Sequence, residues 1–467
     1  RDWGSDVCSS DLVDYRLTQR DRFSFAVQYS TFDVNINHNE LTFDVGRVNP
    51  GDFSLSATRG AAGQGTLQLA TTGNTRSNWT FMPSVTWRHD GPGWKTDAGF
   101  AYSRASNRNR NVESGFFDST TSRRTGVTVG FSDIFYLRPA VITVTDAAGA
   151  PVDPYALGNY VLTAAGGNTR STDDIKRTFY ANVRRDLTGA VPLSLRAGVD
   201  FRQAERDQRF SVPNYTYVGR DGVASTTLTA TSDDLALPFL DPSFSDRQPH
   251  YGFPKFQGVS SELFYNHFIA NPTQFTTNAN TTYRNEVTNS KFADELVSAG
   301  YLRGDLQLFA HRLKLVAGIR VEQTNIHAEG PLTDPNRNLL RDASGKLVLG
   351  TNGKTQPIVP ATDALGVSRL TFLDRAARAD KEYLRWFPSL NANWNIRENL
   401  IARVAWYTSI GRPDFAQYSG GVTLPDPENP SPNDQITVSN VAIKPWSART
   451  INARIEYYLE GVGQLAI

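Results

Sequence analysis

The chain has 467 residues with 48 basic and 47 acidic side chains, and hydrophobic residues make up 39% of it. This charge balance gives no reason to propose a nucleic-acid partner. No apolar run in the sequence approaches the roughly 18 residues that a membrane-spanning helix needs. Both a soluble β protein and an outer-membrane barrel, whose strands alternate polar and apolar residues, have such a composition.

The first twelve residues, RDWGSDVCSSDL, are predicted to be foreign to the protein. They resemble the translation of a common short-read sequencing adapter, with Gly4 in place of Ser. We therefore separate residues 1–12, as an assembly scar, from the structural unit 13–467. A natural tail is the alternative. The single cysteine, Cys8, lies in this segment, so the remainder has no thiol for a disulfide or a thiolate metal site.

Alternation of apolar and polar residues predicts β-hairpins along the whole chain. In the strand predicted at 313–324, for example, Leu313, Leu315 and Ile319 share one face, while Lys314 and Arg320 share the other. The predicted strand pairs are 13–18 with 22–33, 78–88 with 94–103, 177–187 with 192–203, 296–309 with 313–324, and 383–397 with 400–409. An eleventh strand follows at 447–459, and a twelfth begins at 465–467.

The connections between these strands alternate strictly between short and long. Short turns of about 3 to 6 residues lie on one side, and segments of about 35 to 90 residues lie on the other, as in outer-membrane barrels. The long segments 34–76, 104–176 and 325–380 read as irregular, and a helix is predicted at 260–270. The predicted fold is all-β: a partial transmembrane antiparallel up-and-down β-barrel of about 11–12 strands with long extracellular loops. Aromatic residues next to the short turns, where an interfacial girdle belongs, are Phe23, Trp87, Trp94 and Trp394.

Three segments resemble the TonB-dependent outer-membrane receptors. They are YLRGDLQLFAHRLKLVAGIRVEQT, PSLNANWNIRENLIARVAWYTSIGRPDF and KPWSARTINARIEYYLEGVG. The second segment, Pro388 to Phe415 of this chain, resembles a run of the family, and its motif residues are Pro388, Ser389, Arg412 and Pro413. In the third, residues 449–451 depart from the family pattern.

This resemblance implies a 22-stranded barrel with a plug domain in its lumen, and the sequence contains neither the plug nor the last strands. It implies active transport of a scarce ligand (a siderophore, a cobalamin-like or a carbohydrate substrate) across the outer membrane of a Gram-negative bacterium. The implied partners are the TonB–ExbB–ExbD complex, acting through the plug, the lipid bilayer, and a small-molecule, metal-chelate or oligosaccharide ligand. No enzymatic chemistry and no cofactor are expected. The alternatives are a passive porin, a surface adhesin barrel, and a secreted β-rich carbohydrate-binding protein.

No motif in the chain indicates catalysis. Residues 348–355 end like a phosphate-binding loop, but Val348 replaces the required glycine, so we expect an ordinary loop. The six histidines have neither the spacing nor the context of a metal site, and none is expected.

Polar-face residues of the predicted strands are candidates for the substrate path. They are Arg196, Arg202, Arg320, Arg403, Tyr407 and Arg454. Two roles remain open for these arginines: a lining that guides an anionic substrate, or ion pairs with the carboxylates of neighbouring strands and hydrogen bonds to the plug. Loop aromatics that could stack on a ligand are Tyr215, Tyr217, Phe253, Phe256 and Tyr418.

Overall fold

The computed structural model describes residues 3–136, 138–187, 189, 191–249, 252–427, 432, 434–438, 443–459 and 461–467. Its strands are β1 (Trp3–Arg16), β2 (Asp21–Asp44), β3 (Thr58–Arg59), β4 (Gly65–Asp90), β5 (Trp94–Arg110), β6 (Ser119–Phe135), β7 (Arg138–Thr145), β8 (Val161–Gly166), β9 (Thr169–Leu187), β10 (Leu193–Ser211), β11 (Asn214–Tyr217), β12 (Leu240–Asp241), β13 (Gly258–Val259), β14 (Phe275–Thr277), β15 (Lys291–Leu308), β16 (Leu313–Thr333), β17 (Phe372–Arg397), β18 (Leu400–Gly411), β19 (Val422–Thr423), β20 (Thr437–Val438), β21 (Trp446–Leu459) and β22 (Gly463–Ala466). Its α-helices are α1 (Pro242–Ser245), α2 (Ser261–Ala270), α3 (Ala279–Asn289), α4 (Ala364–Thr371) and α5 (Phe415–Tyr418). Within these ranges, no helix has the length and apolar character needed to span a membrane.

Twelve strands of the described ranges form one continuous antiparallel sheet, which we call the wall. Neighbouring strands pair in the order β1, β2, β4, β5, β9, β10, β15, β16, β17, β18, β21 and β22. The five predicted hairpins, the two strands predicted after them and the up-and-down topology are therefore confirmed. Among the described residues β1 and β22 do not pair with each other, so the wall is an open sheet.

The wall has one apolar face and one polar face. On β10 the apolar face carries Leu195, Val199 and Phe201, each at least 40% exposed, and the polar face carries Arg196 and Asp200. Residues directly opposite each other on paired strands share a face, so the same division continues across the wall. Side chains this apolar and this exposed are typical of a surface that meets lipid.

The apolar face ends part-way up each long strand. On β10 the apolar residues run from Leu193 to Phe201, and Gln203, Glu205 and Asp207 continue the same face. We call the apolar stretch the apolar band; on β16 it covers Leu313 to Val321. Beyond the band this face of β10 and β16 becomes polar, as expected where a strand leaves the membrane.

Several wall strands are longer than the bounds predicted from the sequence. β2, β16 and β17 reach well into the predicted irregular segments 34–76 and 325–380, and β6, β7 and β8 lie within 104–176. Those parts of the prediction are wrong, because above the apolar band no face meets lipid and the alternation stops. Backbone pairing continues without it, as between Asn325 and Glu382.

The long connections fold together above the apolar band around a core of their own. Phe117 and Phe264 are both fully buried at its centre, with ring centroids 5.6 Å apart. α2 supplies Phe264, so the helix predicted at 260–270 is confirmed. α3 was not predicted, because its threonines and asparagines favour turns over helices; it is capped by Asn278, whose side chain accepts from Thr281 N at 3.0 Å. Residues 348–355 form a tight hairpin in which Gly350 N donates to Lys354 O.

The first strand differs from the other wall strands in its apolar face. Asp11 lies opposite Val27, and Ser9 lies opposite Tyr29, which places a carboxylate and a hydroxyl among lipid-facing side chains. A charged group at that depth destabilises a barrel strand. That residues 1–12 are an assembly scar stays a prediction, which the nucleotide record can test.

Candidate functional site: the polar face of the wall

The polar face is covered by ion pairs that join different strands. On its first part, Arg196 Nη2 donates to Asp97 at 3.2 Å, and Asn182 Nδ2 donates to the other Asp97 oxygen at 2.7 Å. Tyr301 OH in turn donates to Asn182 Oδ1 at 2.6 Å. Four strands, β5, β9, β10 and β15, thus share one hydrogen-bonded chain, and Arg196 has a carboxylate partner.

Arg202 and Arg320 belong to a denser group of charges. Arg320 lies 2.8 Å from Asp200 and 2.7 Å from Glu322. Arg202 lies 3.2 Å from the same aspartate and 3.5 Å from the same glutamate. Glu322 is only 6% exposed, so its charge depends on these partners.

The motif residue Arg412 completes this group from the end of β18. Its Nη2 donates to Glu322 Oε2, and its Nε lies 3.9 Å from Glu295. We call Asp200, Arg202, Glu295, Arg320, Glu322 and Arg412 the central network. It contains three guanidiniums and three carboxylates, so it is close to neutral.

Arg412 also begins a segment that folds back over the polar face, residues 412–423, which we call the strap. Tyr418 of α5 is 3% exposed and packs against Ala293, Ile326 and Ala328. β19 then pairs in parallel with the end of β16. The strap therefore closes over the wall directly above the central network. Burial raises the pKa of the Tyr418 phenol to about 12.

Arg403 and Arg454 lie near the short turns and share one carboxylate. They contact the same oxygen of Glu456 at 3.2 and 3.1 Å, and Tyr458 OH donates to its other oxygen at 2.9 Å. With Lys314 they line a depression of about 320 Å³. Three cations line this depression, and the two arginines share a single carboxylate, so positive charge is in surplus here.

The remaining candidates lie at scattered positions. Ser389 and Tyr407 are opposite each other on the polar face of β17 and β18. Pro388 lies opposite Ile319 on the apolar face, so it contacts neither group of charges. Pro413 is half-buried in the strap. Their roles in transport stay predictions.

The partners of the arginines could not be paired from the sequence. Asp97 precedes Arg196 by 99 residues and Asp200 precedes Arg320 by 120. In each case a long connection separates the two residues in the sequence, and its length does not determine the register of the strands. Among the described residues, no group of three or more His, Cys, Asp and Glu side chains is arranged to hold a metal ion.

Two of the five proposed stacking aromatics are unsuitable for that role. Tyr217 and Tyr418 are each 3% exposed, and Tyr217 OH lies 3.4 Å from His267 Nε2 within the loop core. Burial raises the pKa of Tyr217. Their contribution is to hold loops together, so the stacking hypothesis is wrong for these two residues.

The family assignment rests on a model described as "TonB dependent receptor-like, beta-barrel", which matches residues 142–467. The chain belongs to the TonB-dependent receptor family. This is a family of receptors and transporters of the Gram-negative outer membrane, and the open antiparallel wall is a section of its barrel. No curated protein matches the chain.

Several solved receptor structures are similar to the chain at low identity. The closed form of the ferric-catecholate import receptor Fiu from E. coli K12 is 10% identical, with a TM-score of 0.41, over 98% of this chain and 56% of that one. BauA, the ferric preacinetobactin receptor of Acinetobacter baumannii, is 10% identical with a TM-score of 0.35, over 100% and 52%. The unliganded ferric citrate transporter FecA is 8% identical with a TM-score of 0.28, over 98% and 49%. The chain thus spans about half the length of the solved structures that it matches.

Proposed function

We propose that the receptor to which this chain belongs carries out TonB-dependent active transport of a scarce ligand across the outer membrane of a Gram-negative bacterium. The family match over residues 142–467 is the observation that carries the proposal. The apolar band supports the location, because its exposed leucine, valine and aromatic side chains need lipid as their solvent. The protein would act as a transporter and perform no covalent chemistry.

The partners follow from the same proposal. A plug domain in the lumen would transmit force from the TonB–ExbB–ExbD complex. The arginines and carboxylates of the central network would face this plug and the moving ligand. The ligand classes are a siderophore or other metal chelate, a cobalamin-like molecule, or a carbohydrate.

Within the polar face, we assign the substrate path to the strip that carries Arg196, Arg202, Arg320, Arg403, Tyr407 and Arg454. Most of these arginines are neutralised by carboxylates, so guidance of an anion falls chiefly to the group around Arg403 and Arg454. Their shared carboxylate leaves a surplus of positive charge there.

The experiment compares uptake of labelled candidate ligands by cells that express the whole receptor, with and without a functional TonB protein. Active transport predicts uptake that is lost when TonB is deleted and when the proton gradient is collapsed. A passive porin would give uptake that neither treatment changes. An adhesin would give surface binding with no internal label, so both barrel alternatives have distinct outcomes.

A further inference from the structure

A second concave site lies on the polar face above the apolar band, where β5, β9 and β10 end beside the middle of β4. We call it the mouth pocket and define it by Arg76, Asn107, Asn109, Arg170, Thr172 and Gln208. Register places these residues on one surface, since Arg76 lies opposite Asn109, Asn109 opposite Arg170, and Thr172 opposite Gln208. The pocket has a volume of about 270 Å³.

The arginines of the mouth pocket differ from those of the central network. Neither Arg76 nor Arg170 forms an ion pair with a described residue. The nearest polar partner of Arg170 is Gln208 Oε1, at 3.5 Å from its Nη2. Arg206, at the edge of the pocket, is by contrast held by Asp174 through two contacts of 2.6 and 3.0 Å. Two guanidiniums therefore remain able to bind an anion.

Buried polar atoms without a partner point to the same place. Asn109 is 4% exposed, and its Oδ1 has no hydrogen-bond partner among the described residues. Thr172 Oγ1 and Asn168 Oδ1, which also line the pocket, are buried and unpartnered in the same way. Buried polar groups are normally hydrogen-bonded. A ligand that both donates and accepts would satisfy them.

The lining also restricts the class of ligand. Every side chain that lines the mouth pocket is Asn, Gln, Thr or Arg, so it offers no aromatic surface for a flat ring to stack on. Its volume is near the lower end of the range for small-molecule sites. These properties exclude a large macrocycle and favour a small, hydroxyl-rich anion.

We propose that the mouth pocket binds a small carboxylate rich in hydroxyl groups, with Arg76 and Arg170 on the carboxylate and the amide side chains on the hydroxyls. The inference deepens the proposed function by naming the substrate class. The same chemistry has two sources: a sugar acid, or a hydroxycarboxylate bound to a metal ion.

The experiment measures binding by calorimetry to the whole receptor purified in detergent. The sugar-acid arm compares galacturonate with galactose, which has a hydroxymethyl group in place of the carboxylate, and the chelate arm compares citrate with ferric citrate. We expect at least one acid to bind, and galactose to bind at least tenfold more weakly than galacturonate if the sugar arm is the right one. Binding of none of the acids, or equal binding of galacturonate and galactose with no binding of citrate or its chelate, would overturn the proposal.

Variants locate the site. Arg76→Gln and Arg170→Gln are each expected to weaken binding about tenfold, since each removes a charge-assisted hydrogen bond. Arg76→Lys keeps the charge and should recover part of the loss. The matched control is Arg184→Gln, on the polar face of β9 but beside Asp186, which should bind as the parent does. Unchanged affinity in the double Gln variant, with the parent's resistance to unfolding, would refute the assignment.

Uptake in cells separates this inference from the proposed function. TonB-dependent uptake of another ligand, unaffected by the Arg76 and Arg170 variants, would reject the mouth pocket and leave active transport standing. If the receptor binds the acid, the variants abolish that binding, and uptake does not depend on TonB, then the mouth pocket is supported and active transport is rejected.

Discussion

Glu322 holds more of the polar face together than any other single carboxylate of the central network. It accepts from Arg320 and Arg412 and lies 3.5 Å from Arg202. Each of these arginines comes from a different strand end or strand, so one side chain connects β10, β16 and the strap. Removing such a residue is expected to reduce stability strongly, because several cations then lose their partner.

Glu322→Gln is expected to destabilise the folded receptor by about 3 kcal/mol, the cost of leaving buried charges unpaired. Urea unfolding in lipid vesicles measures this difference. Glu382→Gln serves as the control, because Glu382 is exposed on β17 and forms no ion pair with a described residue. Equal stability of the two variants would show that the central network contributes little.

The surplus positive charge around Arg403 and Arg454 leads to a prediction about transport. Replacing both by Gln is expected to slow uptake of an anionic ligand several-fold and to leave uptake of a neutral one nearly unchanged. Uptake rates of a matched charged and neutral pair measure the effect. Rates that fall equally for both would indicate a structural role, since charge would then make no difference.

Asp118 gives a prediction about pH in the loops. Burial raises the pKa of this carboxyl to about 6, although Asn111 donates to it and Arg76 lies near. Because the folded pKa exceeds the usual 3.8, the folded loop retains a proton that the opened loop releases. The stabilisation is complete below about pH 4 and is lost as pH rises to about 6.

Hydrogen exchange measures this effect at Gly73, whose N–H donates to the Asp118 carbonyl, and at Thr75, whose N–H donates to Asn111 Oδ1. After correction for intrinsic rates, protection should fall between pH 4.5 and 7 in the parent. In Asp118→Asn it should change little over that range. Protection that rises with pH in the parent would contradict the assignment.

At the scale of elements, the strap depends on a close approach of two backbones. A Cβ added at Gly330 would lie 2.4 Å from Ser419 O, and one at Gly421 would lie 2.4 Å from Pro331 O. Gly421 also has a φ of +87°, which favours glycine. The end of β16 and the strap can therefore pack only with glycine at both positions.

Gly330→Ala is expected to displace the strap while leaving the wall folded. Protease cleavage within residues 412–423 should become at least several times faster, because the contact of Tyr418 with β16 is lost. Gly411→Ala is the control, since its added Cβ would meet only Trp446 Cβ, at 3.8 Å. A strap equally resistant in both variants would show that it tolerates the displacement.

The elements that could be predicted from the sequence are those that cross the apolar band. There the contrast between lipid and polar surroundings imposes alternation, so the pair of Leu390 and Trp406 could be placed on one face. Above the band this contrast disappears, and β6 and the upper half of β17 were not predicted.

The candidate site shows the same limit. Arg320 could be assigned to the polar face, but its partner Asp200 depends on a register that no local pattern encodes.

For the whole molecule, the open wall predicts how the chain behaves alone. Residues 13–467 expressed without other segments are expected to aggregate, because unpaired strand edges and the apolar band are both exposed to water. Size-exclusion chromatography measures the aggregated fraction. Detergent during refolding should lower it by covering the band. A monomeric, cooperatively melting product without detergent would contradict the prediction.

The height of the apolar band determines which bilayer suits the receptor. On β10 it covers Leu193 to Phe201, nine residues that span about 20 Å of membrane at a rise of ~3.4 Å per residue and a tilt of ~40°. Beyond Phe201 the same face carries Gln203 and then the charged Glu205. The hydrophobic thickness is thus less than the ~30 Å of an average bilayer and closer to that of a bacterial outer membrane. In a thicker membrane the mismatch would draw lipid tails against charged residues, so the protein itself selects a thin bilayer.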